Sequence, residues 1–471
     1  MGGEFSGVIP WAALGCVGLA VGLLAVAAWV QRKGPLRICS PFWAYASGLV
    51  LIWCLGPALL FTCLEFFRIP LMPERPVHWM ITALGAVAAF LAGGFAVSRL
   101  GPAPRPVPPP ATLRVEVYLW VLTLFFAGFQ NLDPGLGRGS LSYLIKGLTP
   151  VMLLLGPVLS IHQLAAHAPG RGRMPVFFRA GSILLLSLFL MMGGSRQISA
   201  FLLIYLILGL WCGGVPILKI VPAAVCLAVF TICAMAFVGV LRVKLNEMAP
   251  GRTRTLPKAH VLWEALKKSS FSEPLTLLFF SVQTEKPFLP LIGRLAQAES
   301  IWIMEASWKT GHRSGWTGFD LFPGALLPRS IRPEKEKIFD HHARYGLYGL
   351  RQRESQSLSA LPLRTLADTY ERFRVPGVLI FHFLLGAWLA AVPLLLARVG
   401  KIPGWILALF SGAWAALALG ALEMTLLENL VRFSYGLTRD ATIVLLAVAP
   451  AWLLGLQIWG RCGAAAGALS K

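Results

Sequence analysis

The sequence predicts an all-α, polytopic integral membrane protein with about 11 transmembrane helices and one large extramembrane loop. Two observations carry this. Only 13% of the 471 residues are charged and the mean hydropathy is +0.69, whereas a soluble domain carries about a quarter of its residues as charges. The apolar residues also fall in long blocks instead of amphipathic patterns. Length alone would predict about three soluble domains; the blocks overrule that.

A span needs roughly 20 apolar residues to cross a hydrocarbon core of about 30 Å. Blocks of this kind lie at 8–30, 41–63, 79–98, 116–131, 148–167, 176–193, 198–213, 217–240, 377–397, 403–421 and 441–459. Each is predicted helical, because isolated strands cannot satisfy their backbone in lipid. Segment 116–131 is short, and 176–193 carries Arg179 at its start. The first block could pass for a signal peptide, but its basic residues (Arg32, Lys33, Arg37) follow it instead of preceding it, so it reads as a retained span. The chain then divides into a bundle of about eight helices over 1–240, a large loop over 241–376, and about three C-terminal helices over 377–471.

Orientation follows from Lys and Arg in short loops. They cluster after spans 1, 3, 5, 7, 9 and 11: Arg32, Lys33 and Arg37; Arg99, Arg105 and Arg114; Arg171, Arg173 and Arg179; Lys219; Arg398 and Lys401; Arg461 and Lys471. These alternate loops share the cytoplasmic side. The N-terminus and the loops after spans 2, 4, 6, 8 and 10 are then outside, and so is 241–376.

The net charge of +21 does not point to nucleic acid. Half of all Lys and Arg sit in 241–376 and much of the rest in the cytoplasmic anchors; long loops translocate largely regardless of charge. Of the eight cysteines, Cys16, Cys54, Cys63, Cys212, Cys226 and Cys233 lie in or beside apolar blocks, and Cys39 and Cys462 in cytoplasmic flanks. There is no disulfide framework and no Cys-x-x-Cys metal site, no phosphate-binding Gly-rich loop, and no internal repeat of the kind secondary transporters use. The Pro-rich run near 102–110 reads as a linker.

Five segments carry charge where chemistry could use it. Gly193-Gly194-Ser195-Arg196-Gln197 turns tightly between two spans. Arg196 reads either as a snorkelling anchor or as a bidentate phosphate ligand backed by free N–H groups at a helix start. Arg242 and Lys244 open the large loop, as a charged cap or as anion ligands. Segment 322–342, FPGALLPRSIRPEKEKIFDHH, packs Arg329, Arg332, Lys335 and Lys337 with His341 and His342 among prolines that fix the backbone,. Neutral imidazole can accept a hydroxyl proton near neutrality; adjacent histidines without a third ligand make a poor metal site, and none is expected. Segment 364–377, RTLADTYERFRVPG, brings Asp368, Glu371, Arg372 and Arg374 to the start of a span. Asp368 and Arg372 are spaced for an i,i+4 ion pair; a carboxylate that activates a hydroxyl is the alternative. Glu428, Arg432, Arg439 and Asp440 follow span 10.

Four of these features resemble the oligosaccharide repeat-unit polymerases (Wzy-type, or O-antigen polymerases): the GSRQ turn before SAFLLIYLILGLW, the segment FPGALLPRSIRPEKEK, the stretch LADTYERFRVPGVLIFHFLLG, and the layout of many spans with one large late outer loop. Arg374-Val375-Pro376-Gly377 stands where the family usually has an Asn-Phe-Gly-like step. The resemblance implies a GT-C-like, multi-pass glycosyltransferase of the bacterial inner membrane. Such an enzyme polymerises undecaprenyl-pyrophosphate-linked oligosaccharides on the outer face without a cofactor or metal, among membrane lipids and beside a chain-length regulator. Arg196, Arg242, Arg329, Arg332, Lys335 and Arg432 would hold the pyrophosphate; His341, His342, Asp368 and Glu371 are the candidate acceptor bases. Glycan transfer to a lipid acceptor, as in the related ligases, and non-enzymatic transport are the other expectations; a transporter would favour charges near the membrane midplane.

Overall fold

The computed structural model describes residues 8–31, 40–66, 72–99, 113–132, 140–165, 175–192, 196–212, 298–326, 364–398, 404–422 and 425–453, with five more between 215 and 222. Among them every regular element is helical: α1 (Val8–Gln31), α2 (Pro41–Leu49), α3 (Gly56–Phe66), α4 (Pro76–Ser98), α5 (Leu113–Leu132), α6 (Ser140–Ala165), α7 (Val176–Met192), α8 (Arg196–Cys212), α9 (Ala298–Thr310), α10 (Phe322–Leu326), α11 (Thr365–Arg398), α12 (Gly404–Ala421), α13 (Leu426–Val431) and α14 (Leu437–Leu453). Ten of the eleven predicted spans fall on these helices; 217–240 lies almost wholly outside the described residues. Five helical segments are long and apolar enough to cross a membrane: Val8–Ala27, Pro41–Phe66, Pro76–Ser98, Leu148–Ala165 and Thr365–Val392. The chain is therefore membrane-embedded, and its helices expose large apolar side chains such as Leu14, Phe125, Phe177 and Leu384.

The chain forms two compact units. The first comprises Met1–Pro104, Thr276–Gly400 and Trp414–Thr438; the second comprises Arg105–Leu275, Lys401–Ala413 and Arg439–Lys471.

In the first unit, α2 starts on Ser40, whose Oγ accepts from Trp43 N at 3.4 Å, with Pro41 in the first turn. There a missing N–H costs nothing. A π-helical turn, Val50–Leu55, joins α2 to α3 just before Pro57. The proline supplies no donor to the preceding turn, and the wider turn accommodates the gap. The unit's backbone is the pairing of α4 with α11. Their approach is set by glycines: a Cβ on Gly93 would lie 2.0 Å from the Phe383 carbonyl oxygen, and one on Gly386 would lie 2.0 Å from that of Phe90. Small residues at such crossings let backbones meet in lipid, where apolar burial gives no drive to associate.

Helix α11 begins at Thr365, well ahead of the predicted span at 377–397, and breaks at Arg374, whose φ of 60° and ψ of −161° are non-helical. Only glycine adopts this region without strain. Pro376, two residues on, removes a donor from the ladder at the same place.

In the second unit, α6 contains Pro150 and Pro157. The Thr123 hydroxyl of α5 donates to Met152 O at 3.0 Å and accepts from Gly156 N at 3.1 Å, so it enters the α6 hydrogen-bond ladder beside Pro157. Helices α5, α6 and α7 are also joined by a buried ion pair. Arg179 Nε and Nη2 donate to Glu116 Oε1 and Oε2 at 2.7 and 2.8 Å. Ser160 Oγ adds a bond to Oε1 at 2.7 Å, and Gln163 accepts from Arg179 Nη2. Arg179, read from the sequence as a flanking cytoplasmic charge, is only 3% exposed.

Candidate functional site

The charged residues of LADTYERFR gather at one end of the first unit with three other segments: 72–79, α9 with its following turn, and the start of α13. Each side chain fastens a different piece of backbone. Asp368 is fully buried. Its Oδ1 accepts from Arg372 Nε at 3.0 Å, forming the i,i+4 ion pair, and its Oδ2 accepts from Leu426 N, at the start of α13, at 2.7 Å. Arg372, also buried, donates from Nη1 to Gly315 O and Thr317 O, each at 2.8 Å. Glu371 Oε1 accepts from Ser314 N at 3.0 Å and from Ser314 Oγ at 2.7 Å.

Arg374 completes the set. Its guanidinium donates to Ser307 Oγ, Ser307 O and His312 O at 2.8, 2.9 and 3.0 Å. The residue with the strained backbone is thus the one whose side chain closes the C-terminal end of α9. Strain of this kind costs about 1–3 kcal/mol and persists where surrounding contacts over-determine it.

The turn after α9, Gly311-His312-Arg313-Ser314-Gly315-Trp316-Thr317-Gly318, relies on φ values of 70°, 51° and 86° at its three glycines, a region that disfavours a Cβ. The helix itself is tied to 72–79 through Glu305, which is 5% exposed. It accepts from Trp79 Nε1 at 2.8 Å and from Glu74 N at 3.3 Å. Arg75 lies over the Trp308 ring at 3.6 Å, and Tyr370 packs edge-on against Trp79. At the exposed rim Lys309 pairs with Glu74 at 2.7 Å, and that hydrogen bond raises the lysine pKa above its ordinary value. Below these contacts, Asn429 Nδ2 donates to Thr365 Oγ1 and to Ala421 O at 2.6 and 2.9 Å. A capping box between Thr425 and Glu428 starts α13.

The remaining candidates are dispersed. Arg196 is the first residue of α8. Arg432 opens a π-helical turn, half-buried, with its guanidinium against the backbone at Gly420. In the second unit Arg439 pairs with Asp440 at 2.7 Å. Arg242, Lys244, Arg329, Arg332, Lys335, Lys337, His341 and His342 lie outside the described residues. Among the described residues no cluster of His, Cys, Asp and Glu could hold a metal ion.

The geometry assigns work to residues that sequence reading passes over: Glu305, Trp79, Ser307, Ser314, Thr365 and Asn429. One signal is available. Glu305 is an acid directly after the apolar run Ile301–Met304, where burial demands partners,. Segments 72–79, 298–317, 364–374 and 425–429 all belong to loops, or flanks of loops, that the charge pattern places outside. Comparison with family models, curated proteins and solved structures gave no match.

Proposed function

We propose that this chain is a GT-C-like glycosyltransferase of the bacterial inner membrane, with eleven spans, that polymerises polyprenyl-pyrophosphate-linked oligosaccharide repeat units on the outer face. One observation supports the reading above others: segments from three loops that the charge pattern assigns to the outside meet in the first unit and are fixed there by buried charges. Chemistry on a lipid-linked sugar needs such an arrangement, a rigid polar assembly on helices whose sides face lipid.

In this reading the leaving group is a lipid pyrophosphate, and fixed cations stabilise the charge that develops on it. Arg196, Arg242, Arg329, Arg332, Lys335 and Arg432 are the guanidinium and ammonium groups available, and the planar Arg fork suits phosphate oxygens. The acceptor hydroxyl gives its proton to a base as it attacks the anomeric carbon, and the pyrophosphate departs with the bonding electrons. His341 or His342 takes the base role. Asp368 and Glu371 serve as positioning residues, since Asp368 has both oxygens engaged by Arg372 and Leu426, and Glu371 holds Ser314.

The test uses purified protein in nanodiscs with lipid-linked repeat units and excess EDTA, the products resolved by length on a gel. A ladder of multimers is expected, shortened when Arg196 becomes Lys and slowed by about 10²–10⁴-fold when the acting histidine becomes Ala. Activity that disappears in EDTA and returns with magnesium overturns the arginine assignment; no ladder under any condition overturns the reading.

A further inference from the structure

The turn after α9 presents one large apolar side chain to solvent. Trp316 is 72% exposed, in a turn whose other exposed side chains are polar, His312, Arg313 and Thr317. An exposed tryptophan is common at membrane interfaces. What sets this one apart is how it is held. The two carbonyls that flank it, Gly315 O and Thr317 O, both accept from the same buried guanidinium, Arg372 Nη1. The residue two before it is clamped by Glu371. The indole meets Phe319 in a T-shaped contact and Phe373 at a tilt, with centroids at 4.8 and 5.0 Å. Three buried charged residues, Asp368, Glu371 and Arg372, therefore fix the backbone that carries an exposed ring.

A membrane anchor does not need this. An indole that only partitions into headgroups works from a mobile loop and gains nothing from a fixed plane. A stacking platform does need it, because holding the ring beforehand removes the ordering cost from binding. The ring face carries partial negative charge and is complementary to the weakly positive C–H face of a pyranose. The hydroxyls at the rim of such a sugar would meet polar side chains of the same turn.

We propose that Trp316 is the floor of a glycan subsite, stacking on one pyranose ring of the lipid-linked oligosaccharide. The inference rests on the glycan reading of the chain and deepens it. Nanodisc-embedded full-length protein labelled with 5-fluorotryptophan provides the test. The resonance of Trp316 is identified as the line missing from a Trp316→Phe sample. The probe is the oligosaccharide released by mild acid from the source cells' lipid-linked repeat units. Titration is expected to shift the Trp316 line, and Trp316→Ala to weaken the apparent affinity about tenfold, as loss of a buried aromatic contact does.

Vesicle lipids carrying a doxyl label in the acyl chain form the second arm. Broadening of the Trp316 line by these lipids, without a shift on oligosaccharide, makes the residue a membrane anchor and overturns the subsite. No response to either probe overturns it as well. A shift without polymerisation in the gel assay keeps the subsite and sinks the polymerase; polymerisation without a shift does the reverse.

Discussion

The two units bury charge in opposite ways. In the second, Glu116 and Arg179 satisfy each other bidentately, with Ser160 and Gln163 adding further bonds. Trp120 joins it, donating from Nε1 to Ser160 Oγ at 2.9 Å, and these side chains lie on α5, α6 and α7. In the first, Asp368, Glu371, Arg372 and Arg374 reach outward, and most of their partners are backbone groups of turns and helix ends. The side-chain cluster glues helices. The other sets the positions of turns and helix starts, which apolar packing could not specify. Buried charge is therefore weak evidence of function by itself, and the identity of its partners is the informative part.

That contrast can be broken, and the largest effect is expected in the second unit. Arg179→Met leaves Glu116 buried without its cation and is expected to destabilise by about 3–5 kcal/mol. Adding Glu116→Gln removes the orphaned charge and is expected to recover most of that loss, as read by thermal unfolding in detergent. Failure of the double variant to recover would mean that the cluster does more than hold three helices.

The next effect is at Arg374 in the first unit. Arg374→Ala keeps the strained backbone but loses three hydrogen bonds from a charged donor. Arg374→Gly loses the same bonds and relieves about 1–3 kcal/mol of strain. Glycine is expected to melt higher than alanine here, against the usual order inside a helix. The reverse order would show that the positive φ at this residue is not a source of strain.

The smallest effect sharpens the point that polar atoms are not glue without partners. Tyr45 is fully buried, and its hydroxyl has no hydrogen-bond partner among the described residues; the same holds for His382 Nε2, although His382 Nδ1 bonds Val378 O at 2.8 Å. The two rings lie 6.2 Å apart. Tyr45→Phe is expected to leave the melting temperature unchanged or raise it slightly, because an unpaired buried hydroxyl stabilises nothing. A clear fall in melting temperature would reveal a partner for that hydroxyl.

Much of the membrane fold is legible in the sequence, because span length and apolar composition are local properties. The predicted start of span 9 at 377 falls late, against a helix that begins at Thr365, and the reason is physical. Residues 365–373 are helical yet strongly charged. What makes those charges tolerable in a buried helix is a set of partners far away in the sequence: Gly315 and Thr317 for Arg372, and Leu426 for Asp368. Arg179 is the same case, since Glu116 lies 63 positions earlier. The i,i+4 pairing of Asp368 with Arg372 is readable because both ends share one helix. Glu305 and Asn429 are not, because their partners Trp79 and Thr365 are fixed only when the helices assemble.

Under the proposed function, the buried charges at the start of α11 hold the turn after α9 and the start of α13 in place for glycan chemistry. Arg372→Lys tests it most directly. Lysine keeps the charge beside Asp368 but lacks the fork that also grips Gly315 and Thr317. The measurement is the glycan ladder formed by this variant in nanodiscs, at matched protein amount and with its melting temperature recorded. The account predicts a folded protein whose ladder collapses toward the single repeat unit, and a folded Arg372→Lys protein that builds the wild-type ladder would contradict it.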